Sequence, residues 1–464
     1  MSIGRASSRR LGYLRAVCAV IAARRFLSIR RGKLETEELG CMDDNLLLSR
    51  FYFLERTNDP QPRVADPAAE VRAALDTLGL EREQLAGRRI AVAAGSRGIA
   101  SLREIMRAAC QWLIERGANP FVFPAMGSHG GATNEGQRQV LEEYGVTSEF
   151  TGVEIRSSIE AVRIAATPEG FPVLMDRNAW QSDGVLVINR VKPHTRFSGK
   201  IESGLLKMMV IGMGKPEGAR ECHLRASKHG YEPVIRAVAD VVLKTGKILA
   251  GLAVVENGRH QVAVIRAAQP AHIVTLDEEM QAFAKSLQPR LPFSRLDLLM
   301  VDEIGKDVSG AGMDTKVIGR DVEGGRGDAP EITLIYARDL TPETAGNALG
   351  VGLADLIHER LYRKIDFDKT YVNARTSLNT DVARVPMWFH TDHDALDFAL
   401  RFLGRPAGSK QRLVSIRNTL SLDRILVSEA LAAEAGQLSG WQVCPGSAQL
   451  EFDGAGNLAL PVLN

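Results

Sequence analysis

The sequence predicts an α/β protein with two α/β domains, mainly parallel sheets and an active-site cleft between the domains. From residue 89 onward, short apolar runs alternate with amphipathic stretches of helical period, a βαβα pattern typical of parallel sheets. Glycine-rich loops that carry histidines follow several of the apolar runs, at the strand ends where open α/β sheets bind their ligands. A second unit of the same kind begins near Ser294, and sites commonly lie between domains.

Composition is that of a soluble globular protein. The chain has 464 residues, 45% of them hydrophobic and 25% charged, with a formal net charge of +2, and this length is enough for two or three domains. The small charge does not indicate a nucleic-acid partner. Five scattered cysteines without a CxxC pair argue against a disulfide framework, a zinc ribbon or an iron–sulfur cluster and favour the reducing cytoplasm. No apolar run reaches the length of a membrane span.

The first 41 residues differ from the rest. Between Met1 and Leu34 there are nine Lys or Arg and no Asp or Glu. The apolar stretch at 16–23 is short and is interrupted by two arginines with no cleavage site after them, so export is not favoured. We interpret 1–41 as a disordered basic tail or a mis-assigned start. The predicted domains are then 42–288, which carries the cofactor and catalytic motifs, and 289–464, which closes the cleft.

The first domain alternates strands and helices. Its predicted elements, in order, are a buried strand at Arg89–Ala94, a helix that stops at Gly117, a strand in PFVFPAMG, a helix in NEGQRQVLEEYG, a strand at Gly184–Arg190, a helix at 232–244, strands in LAGLAVVEN and QVAVIRA, and a helix at 277–287 that crosses between domains. The second domain continues with a strand at 296–305, a polar glycine-rich loop, a strand in ITLIYARD, a long helix in NALGVGLADLIHERLYRKI, a helix at 395–403 and strands near 412–416.

Two loops of the first domain carry chemistry-bearing residues. In AAGSRGIAS, a strand-to-helix turn offers backbone N–H groups to an anion, and Arg97 can bind a carboxylate or phosphate with two hydrogen bonds. The spacing is not GxGxxG, so no dinucleotide fingerprint is present, and a tight turn with a surface arginine is the alternative. In GSHGGAT, His129 stands among small residues where a ligand or backbone can approach closely, which favours a functional role.

The densest segment is VKPHTRFSGKIESGLLKMMVIGMGKPEG, which contains His194 and supplies cations at Arg196, Lys200, Lys207 and Lys215. Lys207 lies inside an apolar run, where partial desolvation makes an amine more nucleophilic; a surface lysine whose stem covers apolar residues is the alternative. His223 follows, with Cys222 and Glu221 beside it. These three residue types are metal ligands, but their spacing does not require a metal site. The run HTDHD at 390–394 resembles a metal cluster, but a helix cap formed by aspartate is favoured.

Together these motifs resemble the nickel-dependent lactate racemase family, whose members use the nickel-pincer nucleotide (pyridinium-3,5-bisthiocarboxylic acid mononucleotide nickel). That family has an arginine in an early strand-end loop, a G-[ST]-H-x-x-x-T loop, a P-H pair, a glycine-flanked lysine and a histidine sixteen residues beyond it. Here the matching residues are Arg97, His129 with Thr133, Pro193-His194, Lys207 and His223. The resemblance covers residues 89–223 well and the rest of the chain loosely.

The resemblance implies an isomerase that racemises or epimerises a 2-hydroxy acid by proton-coupled hydride transfer. Lys207 would hold the cofactor through a thioamide bond, and His223 would bind nickel. His129 and His194 would be the acid/base pair on opposite faces of the substrate carbon. The substrate carboxylate would be bound by Arg97, and Lys316 is the best match for a substrate-binding lysine of the second domain. Expected partners are the small-molecule acid and cofactor-synthesis proteins, with no nucleic acid and no membrane.

Several alternatives stay open at this point. His194 and Lys207 are three residues further apart than in the family, so Lys200 is a second candidate anchor. The loop GKDVSGAGMDTKVIG lacks the family's Tyr-Gln pair and offers Asp307 and Asp314, which makes a larger or more polar acid, such as an aldonate or a dicarboxylic hydroxy acid, a candidate substrate. Other functional classes are a hydrolase or lyase with a simple divalent metal held by the histidines, and a non-catalytic protein that binds an anionic metabolite or the cofactor.

Overall fold

The structure is a computed structural model that describes residues 50–57, 61–95, 99–195, 197–322, 330–377, 379–404 and 410–459. The predicted tail at 1–41 lies outside the described residues. So do Arg97, the predicted anion-binding residue, and Arg196.

Strands account for two large sheets and one hairpin in the described part of the chain. In chain order they are β1 (Phe51–Arg56), β2 (Arg89–Ala94), β3 (Asn119–Pro124), β4 (Ala161–Ala166), β5 (Pro172–Asp176), β6 (Gly184–Arg190), β7 (Ile248–Glu256), β8 (Val262–Ala268), β9 (Arg295–Val301), β10 (Glu331–Ala337), β11 (Leu356–His358), β12 (Met387–Phe389), β13 (Leu413–Ile416), β14 (Arg424–Ser428) and β15 (Trp441–Val443).

Helices connect most of these strands. In chain order they are α1 (Pro67–Asp76), α2 (Arg82–Leu85), α3 (Leu102–Glu115), α4 (Asn134–Glu143), α5 (Ser148–Thr151), α6 (Arg177–Trp180), α7 (Leu205–Lys207), α8 (Lys215–His229), α9 (Tyr231–Lys244), α10 (Ile273–Leu287), α11 (Thr315–Ile318), α12 (Glu359–Lys364), α13 (Phe367–Ser377), α14 (Asp392–Leu403) and α15 (Glu429–Ala435), with a π-helical turn at Met208–Gly212. None of the described helices is both long and apolar enough to cross a bilayer.

The two sheets are mainly parallel, which confirms the predicted α/β class. The smaller sheet has the order β3-β2-β6-β7-β8, and only β8 runs antiparallel to its neighbour. The larger sheet has the order β12-β11-β10-β9-β13-β14-β1-β15; its first five strands are parallel, and the remaining pairs are antiparallel. β1 therefore belongs to the larger sheet, and the domain boundaries at 41/42 and 288/289 stay a prediction.

The smaller sheet is buried on both faces. Ala91 and Ala93 of β2 pack into one apolar cluster, whereas Ile90 and Val92 pack into another on the opposite face. Successive side chains of a strand point to opposite faces, and strands covered on both sides are uninterrupted apolar runs. This is why the run RIAVAA is a central parallel strand rather than an alternating surface strand.

One predicted element is wrong. The long helix expected over 347–365 is instead a short strand, β11, followed by the six-residue helix α12. Gly350 has φ of 110°, a conformation that interrupts a helix, and β11 pairs in parallel with both β10 and β12. Strand pairing within the sheet therefore outweighs the helical spacing of the apolar residues. The helix predicted at 277–287 is present as α10 and begins earlier, at Ile273.

Candidate functional site

The candidate site is built at the carboxyl edge of the smaller sheet. β2, β3 and β6 are parallel neighbours, so the segments that follow them leave the sheet at the same edge. These segments begin with Gly95, with the loop of His129, and with the loop of His194. Open α/β sheets bind their ligands at this edge, which is why residues at the strand ends are the candidate site residues.

Lys207 lies at a helical turn against which two of these segments pack. It ends α7, and the chain continues as the π-helical turn Met208–Gly212, a rare conformation that is frequent at functional sites. The backbone N–H of Gly127, two residues before His129, donates to the Gly212 carbonyl at 3.1 Å. A Cβ on Gly95 would lie 3.1 Å from the Met208 methyl carbon. The turn that starts at Lys207 thus contacts both the β2 and the β3 segments.

The His129 loop is shaped by close backbone contacts. Gly130 has φ of +64°, and a Cβ there would lie 2.6 Å from the Gln137 backbone nitrogen in α4. Thr133 caps α4 by accepting a hydrogen bond from the Gly136 N–H at 3.0 Å. The His129 side chain is exposed. The small residues around it therefore bring the loop against α4 and leave the imidazole at the surface of the loop.

The His194 loop is held by a buried carboxylate. Lys192 N–H donates to the Ser203 carbonyl at 2.8 Å and closes the base of the loop. Inside it, the fully buried Glu202 accepts from the His194 N–H at 2.6 Å and from the Gly199 N–H at 2.9 Å. Lys285 of α10 lies 2.6 Å from the same carboxylate. Hydrogen bonds to an ionised carboxylate are among the stronger ones in proteins, so the backbone at His194 is fixed.

His194 and His223 belong to one aromatic cluster, which we define as His194, Phe197, Tyr231 and His223. The ring centroids of His194 and Phe197 are 4.5 Å apart. Phe197 stacks on Tyr231 at 4.8 Å with an interplanar angle of 6°. Tyr231 then meets His223 edge to face at 5.8 Å. Two of the predicted site residues are therefore brought together by side chains that the sequence analysis did not single out.

The surroundings of His223 fit a metal ligand. Its Nδ1 lies 3.1 Å from the Tyr231 hydroxyl oxygen, so a metal at this residue would bind through Nε2. Metal-binding histidines usually have a hydrogen-bond partner on the second ring nitrogen, which fixes the ring orientation. Across the described part of the chain, no three His, Cys, Asp or Glu residues come together as a metal-binding group.

The two residues that precede His223 in the sequence, Cys222 and Glu221, have other surroundings. Cys222 is buried in the core, and burial raises its pKa to about 12, while the positive charge of Lys207 acts in the opposite direction. Glu221 pairs with Arg225 at 3.3 Å. Neither Cys222 nor Glu221 joins His223 as a ligand set.

Lys316 reaches the His194 loop from the strand-end loop after β9. Its ammonium donates to the Ser198 hydroxyl, and the neighbouring Thr315 hydroxyl donates to the Thr195 carbonyl at 2.9 Å. Asp314 caps α11 through the Lys316 N–H at 2.8 Å. The predicted substrate-binding lysine and its neighbour Thr315 thus contact the loop that carries His194.

The other polar candidates have local roles. Asp307 accepts a hydrogen bond from the Thr341 hydroxyl at 2.5 Å. Lys200, the alternative cofactor anchor, is exposed, and its backbone N–H donates to Glu232 at 3.0 Å. The run HTDHD begins helix α14, as the cap interpretation expects, although the capping side chain is Thr391, which accepts from the Asp394 N–H at 3.0 Å.

A polar stripe on α10, which was not predicted from the sequence, supports the segment between His194 and Lys207. Asp277, Gln281 and Lys285 are four residues apart, so they share one face of the helix. Asp277 accepts from the backbone N–H groups of Leu205 and Leu206 at 2.9 and 3.0 Å, and burial raises its pKa to about 6. The signal was available: three polar residues at this spacing lie on a face that is otherwise apolar.

The fold is that of an α/β protein with mainly parallel sheets, and this cluster of loops is a candidate ligand site at the carboxyl edge of the smaller sheet. No protein-family model matches the chain, and no curated protein matches it. Among solved structures, the chain is similar to the lactate racemase apoprotein from Thermoanaerobacterium thermosaccharolyticum, with a TM-score of 0.46 and 13% sequence identity over 80% of this chain and 99% of that chain.

Proposed function

We propose that this chain is a nickel-dependent racemase or epimerase of a 2-hydroxy acid that uses the nickel-pincer nucleotide. The observation that carries the proposal is the aromatic cluster, because it joins His194, the expected acid/base group, to His223, the expected nickel ligand, through Tyr231. Two motifs that are separate in the sequence thereby share one cluster of side chains, which supports the proposal. The order and spacing of those motifs supply the second support.

The residues present fit the cofactor. Lys207 would carry it at the start of the π-helical turn, and His223 would bind its nickel through Nε2 with the ring oriented by Tyr231. A planar nickel site suits nitrogen and sulfur donors. When bound, the nucleotide would supply reversible hydride acceptance from the substrate carbon, while the protein orients the reactants.

The protein's own part is proton transfer and substrate positioning. One of His129 and His194 would take the hydroxyl proton of the 2-hydroxy acid as its Cα–H bond breaks, which leaves a planar 2-keto acid. After the acid has turned, the other histidine would return a proton to the oxygen while hydride returns to the opposite face of Cα. Two groups are required because the two enantiomers present their hydroxyls differently, and imidazole suits this task near neutral pH. Lys316, and Arg97 as predicted from the sequence, would bind the carboxylate.

The test is to purify the chain from a host that makes the nickel-pincer nucleotide, and to combine peptide mass spectrometry with metal analysis. We expect a nickel-bearing adduct on Lys207 that Lys207→Ala removes and Lys200→Ala retains. An adduct found on Lys200 alone would identify Lys200 as the cofactor anchor instead of Lys207. An unmodified chain with zinc or manganese would favour the simple-metal hydrolase or lyase, and an unmodified chain without metal would favour the binding protein.

Variants of the histidines separate the two roles. His223→Ala should lose nickel, whereas His229→Ala, an exposed histidine of the same helix, should keep it. His129→Ala and His194→Ala should keep the adduct and lose racemisation by a factor of about 100 or more, the usual contribution of a general acid or base. Racemisation that persists in either variant would refute the two-base mechanism.

A further inference from the structure

A buried lysine lies beneath the His129 loop. Lys215 begins α8, the helix that carries His223, and its side chain is fully buried. Its ammonium donates to the Pro124 carbonyl at 2.8 Å and to the Gln137 side-chain oxygen at 2.7 Å. Asp176, at the end of β5 and also fully buried, lies 3.4 Å away. One side chain thus connects β3, α4, β5 and α8.

Gln137 extends this connection to His129. The same amide that accepts from Lys215 donates through its nitrogen to the Gly127 carbonyl at 2.9 Å and to the His129 carbonyl at 3.2 Å. An amide can do both only in one orientation. Lys215 fixes that orientation, because an ammonium has donors alone and must face the amide oxygen.

The arrangement is expensive for a purely structural contact. Burial lowers the pKa of Lys215 and raises that of Asp176, so both charged forms are disfavoured by their surroundings. Lys215 also has φ of +59°, a conformation that residues with a Cβ rarely adopt. Replacing such a buried pair with apolar residues is often neutral or stabilising. A role in fixing the geometry of the neighbouring loop is the better explanation for the buried pair of Lys215 and Asp176.

We infer that Lys215 is a positioning residue that, through Gln137, fixes the His129 loop on the helix that carries His223. The inference rests on the proposed function only for the role of His129 as an acid/base group. Its structural part concerns the purified chain without cofactor, and the two can therefore fail separately.

The experiment is hydrogen exchange, read by mass spectrometry over residues 125–137, in the cofactor-free chain. Lys215→Met should raise exchange in this segment about tenfold or more, equivalent to about 1.4 kcal/mol of lost local protection, while exchange in β6 stays unchanged. Gln137→Glu keeps an acceptor for Lys215 and removes both donors to the loop, so it should raise exchange in the same segment. Unchanged exchange in both folded variants would overturn the inference.

A double variant distinguishes positioning from general stability. Asp176→Asn with Lys215→Met removes both buried charges, and it should restore the urea midpoint toward that of the original chain because no unpaired charge remains. Exchange at 125–137 should nevertheless stay fast, since nothing orients Gln137. If the midpoint and the protection recover together, Lys215 has only a structural role. In cofactor-loaded enzyme with racemase activity, Lys215→Met should lower kcat with little change in KM.

Discussion

Glu202→Gln is the sharpest test of how the candidate site is held together. Glu202 is fully buried and accepts the His194 N–H through one oxygen and the Gly199 N–H through the other. Glutamine has nearly the same shape but keeps only one acceptor oxygen. Its NH₂ group would face a backbone N–H, so one hydrogen bond is lost and a buried donor is left without an acceptor.

The expected loss follows from these contacts. A hydrogen bond to a charged group contributes about 1.5–3 kcal/mol. The ion pair with Lys285 adds at most about 1 kcal/mol, because that lysine side chain is 33% exposed and screened by water. We therefore expect Glu202→Gln to lower the free energy of unfolding by about 1.5–4 kcal/mol.

Urea unfolding at neutral pH measures this loss, and hydrogen exchange over 192–203 locates it. Glu279→Gln is the matched control: Glu279 lies on the same helix α10, is 59% exposed and is 3.9 Å from Arg266, and its loss should stay below about 1 kcal/mol. A loss below about 1 kcal/mol for Glu202→Gln, or unchanged exchange in the loop, would show that the carboxylate does not hold His194.

Three further predictions address other parts of the site. Burial raises the pKa of Asp277 from 3.8 to about 6, so the folded chain binds the carboxyl proton of Asp277 more tightly than the unfolded chain does. The resulting stabilisation, about 3 kcal/mol, is complete below pH 4 and is lost as the pH rises through 6. Asp277→Asn should therefore make the free energy of unfolding in urea less dependent on pH between pH 4 and 7. Tyr231→Phe removes the hydroxyl beside His223 and should weaken nickel retention about 10- to 100-fold in a chelator competition; full retention would contradict the role of that hydroxyl. Gly130→Ala should lower the urea midpoint more than Gly131→Ala, because both have φ of +64° and only the first Cβ would collide with α4; equal losses would contradict this account of the loop.

Much of the smaller sheet was predictable from the sequence. A run such as Arg89–Ala94 is apolar throughout because both faces of the strand are covered, and glycine-rich loops mark its carboxyl ends. The failure at 347–365 has a physical cause: apolar residues at helical spacing also suit a short buried strand, and the decisive fact is the pairing of β11 with β10 and β12. No local pattern contains that information.

The candidate site likewise has residues that could be predicted from the sequence and residues that could not. His129, His194 and Lys207 stand out because glycine or apolar neighbours make their chemistry unusual. Glu202 and Lys285 do not stand out, because the sequence around a charged residue does not show whether its side chain will be buried or exposed to water. Their roles come from contacts across 83 residues of sequence, between the loop and α10, and only the fold brings them together.

The supports of the two histidines are separate, and this has a functional consequence. The His194 backbone is fixed by Glu202 and α10, whereas the His129 backbone is fixed by Gln137 and Lys215 at the start of α8. In the proposed function these two histidines would serve opposite faces of one carbon, and each would have to stay within hydrogen-bond reach of the substrate oxygen. Independent buried anchors allow each loop to hold its own imidazole without moving the other. A perturbation of one anchor should therefore impair proton transfer on one face first. Because each direction of racemisation uses both histidines and the equilibrium constant fixes the ratio of the two kcat/KM values, kcat/KM should fall equally in both directions, and the impaired face would be measured as unequal changes in kcat when each pure enantiomer is the substrate.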